Sequence, residues 1–441
     1  MTTISADDTA AADAAAAEKP PGVYAWYVAV VLVLAYALSF LDRKLPFILV
    51  ESIKHDLSLS DTQIGLLTGV MFALVYSTVA IPIATLADRG SRKKLIAGAV
   101  FIWSSVTALG GFAQNFWHLA ASRVGVAAGE AALSPAAHSM LADYFKPRFR
   151  ARALGFYFVG AQIGIVGGLA LGGWINEIAN WRVAMFLCGV PGVILALLIF
   201  FTVREPARTR SAPVEGDDGV RPARLMETLR ALFKHPTFIH LMIAALLSSF
   251  TSGAVNAFTP SYIIRTFGLT SAEVGFSYGF VTGGAGAVGA VLGGFLGDRL
   301  RKSHPRRALQ FVALATAIGA PCLAYAFVTQ TYWVFLTMLF IAQVGVMTYA
   351  GPSFATIQSL VGPRMHAVAS AVYLFAHSGL GLALGPLAVG MMSDWLIARG
   401  SENSLRIALF IVVLPKLWSS LHYYLAARSL GRVRGAAAAP V

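Results

Sequence analysis

Twelve stretches of this chain are apolar for about twenty residues or more, and that recurrence leaves few architectures open. A helix rises ~1.5 Å per residue, so about 20 apolar residues cross the ~30 Å hydrocarbon layer of a bilayer. The runs fall near residues 25–50, 62–87, 95–113, 117–142, 151–175, 182–203, 237–264, 271–297, 307–328, 332–355, 365–392 and 405–427, numbered below as spans 1 to 12. Lipid offers the backbone no hydrogen-bond partner, so runs of this length read as helices, which satisfy their own amides. Only 12% of the residues are charged, whereas soluble domains carry about 25%. The expected fold class is an all-α membrane protein of twelve transmembrane helices, with no room for a separate soluble catalytic domain.

Basic residues set the expected orientation, because lysine and arginine collect in cytoplasmic connectors. Connectors and tails on one side hold twenty-five of them, including Arg89, Arg92, Lys93, Lys94, Lys146, Arg148, Arg150 and Arg152. The opposite connectors hold five: Lys54, Arg182, Arg265, Arg399 and Arg406. Both termini are therefore expected in the cytoplasm, with the chain in an inner membrane of bacterial type. The net charge of +13 is then a topology signal and no indication of nucleic acid. Residues 1–24 lack the basic and apolar regions of a secretory signal and read as a disordered tail. Cys188 and Cys322 both lie in apolar runs and read as small buried hydrophobes, with no metal or disulfide framework.

The segment 204–236, with Pro206, Pro213, Gly216 and Pro222, is the one long polar interruption. It reads as a cytoplasmic linker whose later part, from Ala223 to Lys234, can form a surface helix. The linker divides spans 1–6 (25–203) from spans 7–12 (237–428), with a tail at 429–441. A repeat supports the division. "PRFRARALGFYFVGAQIGIVGG" from Pro147 returns as "PRMHAVASAVYLFAHSGLGLALG" from Pro363, and "LADRGSRKK" around Asp88 returns as "LGDRLRK" around Asp298. Two matches at nearly one offset mean duplicated halves of like orientation, the logic of a carrier that rocks two bundles about a central site.

With these features in hand, the chain resembles the major facilitator superfamily over about residues 25–428. The superfamily's loop pattern G-x-L-A-D-R-x-G-R-K stands here as Ala84 to Lys93, with Asp88, Arg89, Arg92 and Lys93 in place and Ala84 and Ser91 replacing the glycines. The stretch "SFLDRKLPFILVESIKHDLSLSDTQIGLLTG" in spans 1 and 2, and "SRVGVAAGEAALSPAAHSMLADYF" in span 4, are similar to its spinster branch. That resemblance implies a 6+6 pseudo-symmetric fold and an amphipathic lipid substrate such as a lysophospholipid or sphingoid phosphate. It also implies a gating role for Asp88, which ends span 2 and caps the start of span 11, with Arg89 and Arg92 beside it, and a mirrored role for Asp298 and Arg299.

Charges inside the spans point to function, since each one costs ~2.5–3.5 kcal/mol at mid-bilayer on insertion scales unless it faces a partner or a water cavity. Asp42, Arg43, Arg123 and Glu130 are the candidates for proton and substrate coupling. Depth estimates place Asp42 and Arg123 at one level, and Glu130 near the midplane as a usable proton carrier. Arg123 is expected to pair with whichever carboxylate is ionised, or with an anionic headgroup, because its planar fork stays charged and bonds both. A static interhelical network is the plainer alternative. Lys44 and Lys416 either snorkel outward or face a crevice. His138, Asn256, Tyr349, Tyr373 and His377 either line a substrate path or make helix-to-helix hydrogen bonds. Glycines at four-residue spacing in spans 5 and 8 read as close-packing stripes.

The expected function is proton-linked carriage of a lipid by alternating access, with carriage of small organic anions as the rival. A non-transporting sensor or a channel is the alternative of another class. The expected partners are a lipid or small-molecule substrate, protons and the bilayer, and no nucleic acid. The chain is expected to act as a monomer without a cofactor. No nucleophile–base pattern supports an enzyme.

Overall fold

The computed structural model describes residues 21–206 and 225–437, and among them it contains helices and no strand. The two tails (1–20 and 438–441) and most of the linker (207–224) lie outside the described residues.

Helix starts follow a simple rule of end chemistry. Four even-numbered spans begin with a polar cap that satisfies free amides: Ser60, Asn115, Asn180 and Thr270 each accept a hydrogen bond from the third residue beyond. Spans 5, 7 and 9 begin with Pro147, Pro236 and Pro305, where a missing amide proton costs nothing. The chain therefore turns at two faces. The face that carries the chain's ends is called here the terminal end, and the other the far end.

Span 1 is the helix Val23–Asp56, longer than its apolar run at both ends. Span 2 opens as Asp61–Gly65, widens through a π turn at Leu66–Val70 and continues as Met71–Arg89. Span 3 is Arg92–Gly110, and span 4 is broken into Phe116–Glu130 and Leu133–Tyr144. Spans 5 and 6 are Pro147–Ile178 and Trp181–Thr202. After the short amphipathic helix Leu225–Phe233 come spans 7 (Pro236–Phe267), 8 (Ser271–Ser303) and 9 (Pro305–Ala326). Span 10 is Tyr332–Met347 followed by Ala350–Ser359. Span 11 runs from His366 through a π turn at Phe375–Gly381 to Ile397. Span 12 is Ser404–Val413 followed by Pro415–Ala437, so it continues into the stretch read as a tail.

Ten of these helices are long and apolar enough on their own to cross a membrane. Spans 3 and 4 fall short for visible reasons. Span 3 opens on Arg92, Lys93 and Lys94, and span 4 is interrupted beside a glutamate.

Spans 1 to 6 pack chiefly among themselves, as do spans 7 to 12. Span 5 lies along span 1 on its glycine stripe. A Cβ added at Gly160 or Gly168 would stand 2.5 Å from the carbonyl oxygen of Val33 or Leu41, so no larger residue fits without moving the backbone. The halves meet along spans 5 and 8, spans 2 and 11, and spans 1 and 7.

Candidate functional site

The charged residues of spans 1 and 4 meet in the interior of the first half. Arg43 lies thirteen residues before the far end of span 1, and Glu130 fourteen residues after the far-end start of span 4. At ~1.5 Å per residue, both are roughly 20 Å in from that face. Glu130 is 1% exposed. Its Oε2 accepts a hydrogen bond from Arg43 Nε at 2.5 Å and one from Ser39 Oγ at 2.9 Å, while its Oε1 has no partner. Three aromatic rings surround the Arg43 guanidinium, with Tyr76 at 4.4 Å, Phe40 at 5.1 Å and Phe72 at 5.3 Å. Such rings hold a cation through their negative faces.

The pairing differs from the sequence expectation. Arg123 makes no ion pair among the described residues. It is buried, its guanidinium lies 5.1 Å from the Phe72 ring, and its Nε has no hydrogen-bond partner. Asp42 is buried against span 3, beside Trp103 and Thr107, with its Oδ1 unpaired. The reason is helical geometry. Asp42 and Arg43 are consecutive residues and point about 100° apart, so one carboxylate faces the bundle core while the next side chain reaches across to span 4. Arg43, not Arg123, is the partner of Glu130. Asp42 and Arg123 remain within electrostatic range of Glu130.

Other candidates fall in several places. Lys44 reaches the second half and donates to Asn256 Oδ1 at 2.8 Å, while Asn256 donates to Ser252 O at 2.7 Å. His138 packs edge-on against Tyr157 and Phe158, its Nε2 without a partner. In the second half the rings of Tyr349 and His377 stack with centroids 4.6 Å apart, and Tyr373 is fully buried next to them.

Of the gate residues, the side chains of Asp88 and Arg89 lie outside those described. Arg92 is buried and ties the first half together. It holds Asp143, donates to Glu205 at 2.9 Å, and reaches the carbonyls of Ser139 and Pro206. Arg299 is exposed, and among the described residues Asp298 pairs with Arg301 of its own helix, at 4.0 Å, and with no charge on another helix.

Glu205, just beyond span 6, supplies a pH test of the Arg92 cluster. Burial pushes its carboxyl up, but the Lys93 amide, the Ser91 hydroxyl and Arg92 prevail and hold it below the ordinary glutamate range. A depressed carboxylate adds stability that is complete above the unfolded pKa of about 4.3 and disappears as pH falls through the lower folded value. Melting curves between about pH 5 and pH 3 should therefore fall less steeply for Glu205→Gln than for the native chain. Parallel curves would show that the contact carries no weight.

A second network, which the sequence reading missed, fastens the two halves at the far end. Asp61 is fully buried. Its carboxylate accepts from Lys54 at 2.5 Å, from Ser393 of span 11 at 2.7 Å and from Arg265 of span 7 at 3.0 Å. Arg265 also forks onto Glu51, at 2.8 and 3.0 Å. Asp394, near the end of span 11, accepts the amides of Asp61 and Thr62 at 3.0 and 2.8 Å. It thus caps span 2 from the other half, where a helix start favours an anion. Spans 5 and 8 are joined alongside: Asn176 donates to Ser271 at 3.1 Å, and Glu177 accepts the Ala272 amide at 3.0 Å. Every ion pair between described residues of the two halves lies in this clasp. A recess of about 510 Å³, lined in part by Glu51, His55, Asp56 and Arg182, opens beside it.

A duplicated helical bundle clasped at one end, with a buried charge pair at mid-depth, is the architecture of a rocking carrier. The sequence profile of the Major Facilitator Superfamily matches residues 32–386. The chain belongs to that superfamily. It is an integral membrane transporter rather than an enzyme, and its affinities place it in the spinster-like branch. It is 35% identical over 403 residues to an MFS-type efflux pump of Mycolicibacterium smegmatis, covering 91% of this chain and 92% of that one. It is 28% identical over 388 residues to human protein spinster homolog 1, covering 83% of this chain and 73% of that protein. Among solved structures, a bacterial homologue of the human lysosomal transporter spinster, in an inward-facing and unoccupied conformation, superposes with a TM-score of 0.84 at 29% identity. That superposition covers 94% of this chain and 99% of the other.

Proposed function

We propose that this transporter is proton-linked and carries an amphipathic lipid, of the lysophospholipid or sphingoid-phosphate kind, by alternating access across a bacterial inner membrane. The observation that carries this reading is the buried contact of Arg43 with Glu130. A proton arriving at the open Oε1 of Glu130 cancels the attraction and frees a guanidinium set among three aromatic rings. The freed cation suits a phosphate, and the rings suit an apolar chain. Deprotonation restores the pair, so the anionic substrate competes with the ionised Glu130 carboxylate for Arg43, and a proton on Glu130 favours substrate binding. Asp42 and Arg123 form the adjoining reserve of charge.

The excess of basic residues at the terminal end supports placing it in the cytoplasm. With that orientation the clasp closes the outside and the present state faces inward, in keeping with the description of the solved spinster homologue. Bundles 25–203 and 237–428 then move about the linker 204–236 in a monomer. Asp88 and Arg89 close the cytoplasmic side in the opposite state. Arg123, without an ion pair among the described residues, also fits a carboxylate, which keeps small organic anions as a second reading.

Reconstituted liposomes with an imposed pH gradient decide the matter. Fluorescent lysophosphatidylglycerol should move in proportion to the gradient and stop when a protonophore collapses it. Flux indifferent to the gradient removes the proton, and flux of benzoate or glucuronate without lysolipid selects the second reading.

A further inference from the structure

Among the described residues, the interior of the second half holds a basic side chain with no partner to balance its charge. Lys416 is 1% exposed, and its Nζ has no hydrogen-bond partner. The described second half contains five carboxylates, Glu227, Glu273, Asp298, Asp394 and Glu402, and all of them sit at helix ends or in connectors. The first half is built differently, with Asp42 and Glu130 answering Arg43 and Arg123. Water cannot screen a buried ammonium, and leaving one unpaired is among the most costly arrangements a protein interior can hold.

The surroundings fit a ligand better than a packing role. Span 12 breaks at Leu414, between Val413 and Pro415, and Lys416 follows at once. It stands twelve residues from the far-end start of that span, roughly 18 Å in at ~1.5 Å per residue, so it is level with Arg43 and Glu130. His377, in the π turn of span 11, lies within electrostatic range and stacks on Tyr349. Wide turns of this kind recur at functional sites. Beyond His377 the hydroxyls of Tyr373, Tyr423 and Ser353 lie within reach of one another in the interior. A buried, unpartnered ammonium beside a widened turn, with a histidine in electrostatic range, describes a place for an anion.

We propose that Lys416 is the anion-binding residue of the second half, receiving the phosphate or carboxylate of the carried molecule. The inference rests on the carrier reading and gives the charged group of the substrate a second cation, in the other half and level with Arg43. The bound anion supplies the counter-charge that the protein lacks, so substrate binding would draw span 12 and the π turn of span 11 together.

The test uses the full chain in nanodiscs and compares lysophosphatidylglycerol with a monoacylglycerol of the same acyl length. Benzoate and glucuronate serve as free-acid probes. The native protein should prefer the anionic lipid, and Lys416→Met should weaken that binding about tenfold or more. Affinity for the neutral monoacylglycerol should be unchanged, and Lys416→Arg should keep the preference. The proposal is overturned if Lys416→Met retains the preference, if it loses both lipids alike, or if the native protein shows no preference for an anion. That last arm needs no variant, so a Lys416→Met chain that fails to fold does not shield the proposal. If the native protein binds the free acids and neither lipid, the lipid reading fails. The same Met and Arg comparison on benzoate and glucuronate then decides Lys416.

Discussion

A carrier bearing Glu130→Gln should lose pH-driven transport while still exchanging substrate down its own gradient. The glutamine keeps an oxygen for Arg43 and Ser39, so the local shape survives. What disappears is the charge that a proton can cancel. Removing one member of a buried pair costs about 3–5 kcal/mol, and the partial exposure of the Arg43 side chain (22%) reduces this to about 2 kcal/mol. By the same arithmetic the balance between carrier states shifts about thirtyfold, toward the state in which Arg43 is free. The double variant Arg43→Gln with Glu130→Gln removes the stranded cation as well. Its melting temperature should therefore lie above that of Glu130→Gln alone, whereas its pH response should not return. Liposome flux at several imposed gradients, together with melting curves of the native protein and both variants, measures both terms. A Glu130→Gln carrier with the native pH dependence would exclude this residue from coupling.

Much of the fold was legible because membrane burial writes itself locally. Apolar runs and the basic bias of one face each need only a few adjacent positions to be read. The repeat at Pro147 and Pro363 made the halves visible for the same reason. Helix interruptions were less legible. The breaks at Glu130 and Leu414 and the π turns at Leu66 and Phe375 leave hydrophobicity unchanged, so an apolar run passes through them unmarked.

At the site, the sequence picked out the charged residues but not their pairing. Depth alone could not choose between Arg43 and Arg123, since the choice depends on which side of span 1 faces span 4. The far-end clasp was missed for a different reason. Lys54 and Arg265 were read as topology charges, and Asp61 is an acid in an ordinary capping box, S-D-T-Q. Its partners Arg265 and Ser393 stand 204 and 332 residues away, a relation that no local pattern carries.

That clasp makes the second large prediction. Asp61→Asn should open the far end and leave the carrier shifted toward the opposite state. The native carboxylate satisfies Lys54, Arg265 and Ser393 at once, and its replacement leaves Lys54 without a carboxylate and Arg265 with Glu51 alone in a half-dry setting. A loss of about 3 kcal/mol from the closed state is a change of more than a hundredfold in its ratio to the open one. Spin labels at His55 and Thr266, both exposed and on different halves, report the gap once Cys188 and Cys322 are replaced. The native protein should give one short distance, and Asp61→Asn a second, longer population. Asp394→Ala removes only the cap on span 2, a change of about 1 kcal/mol, so its longer population should be intermediate. Arg265→Gln should resemble Asp61→Asn, because the fork on Glu51 and Asp61 is the ion-paired link between the halves among the described residues. If all three variants keep the native distance, the halves are held at that end by packing of spans 5 and 8, and the charges there serve the closed state without controlling it.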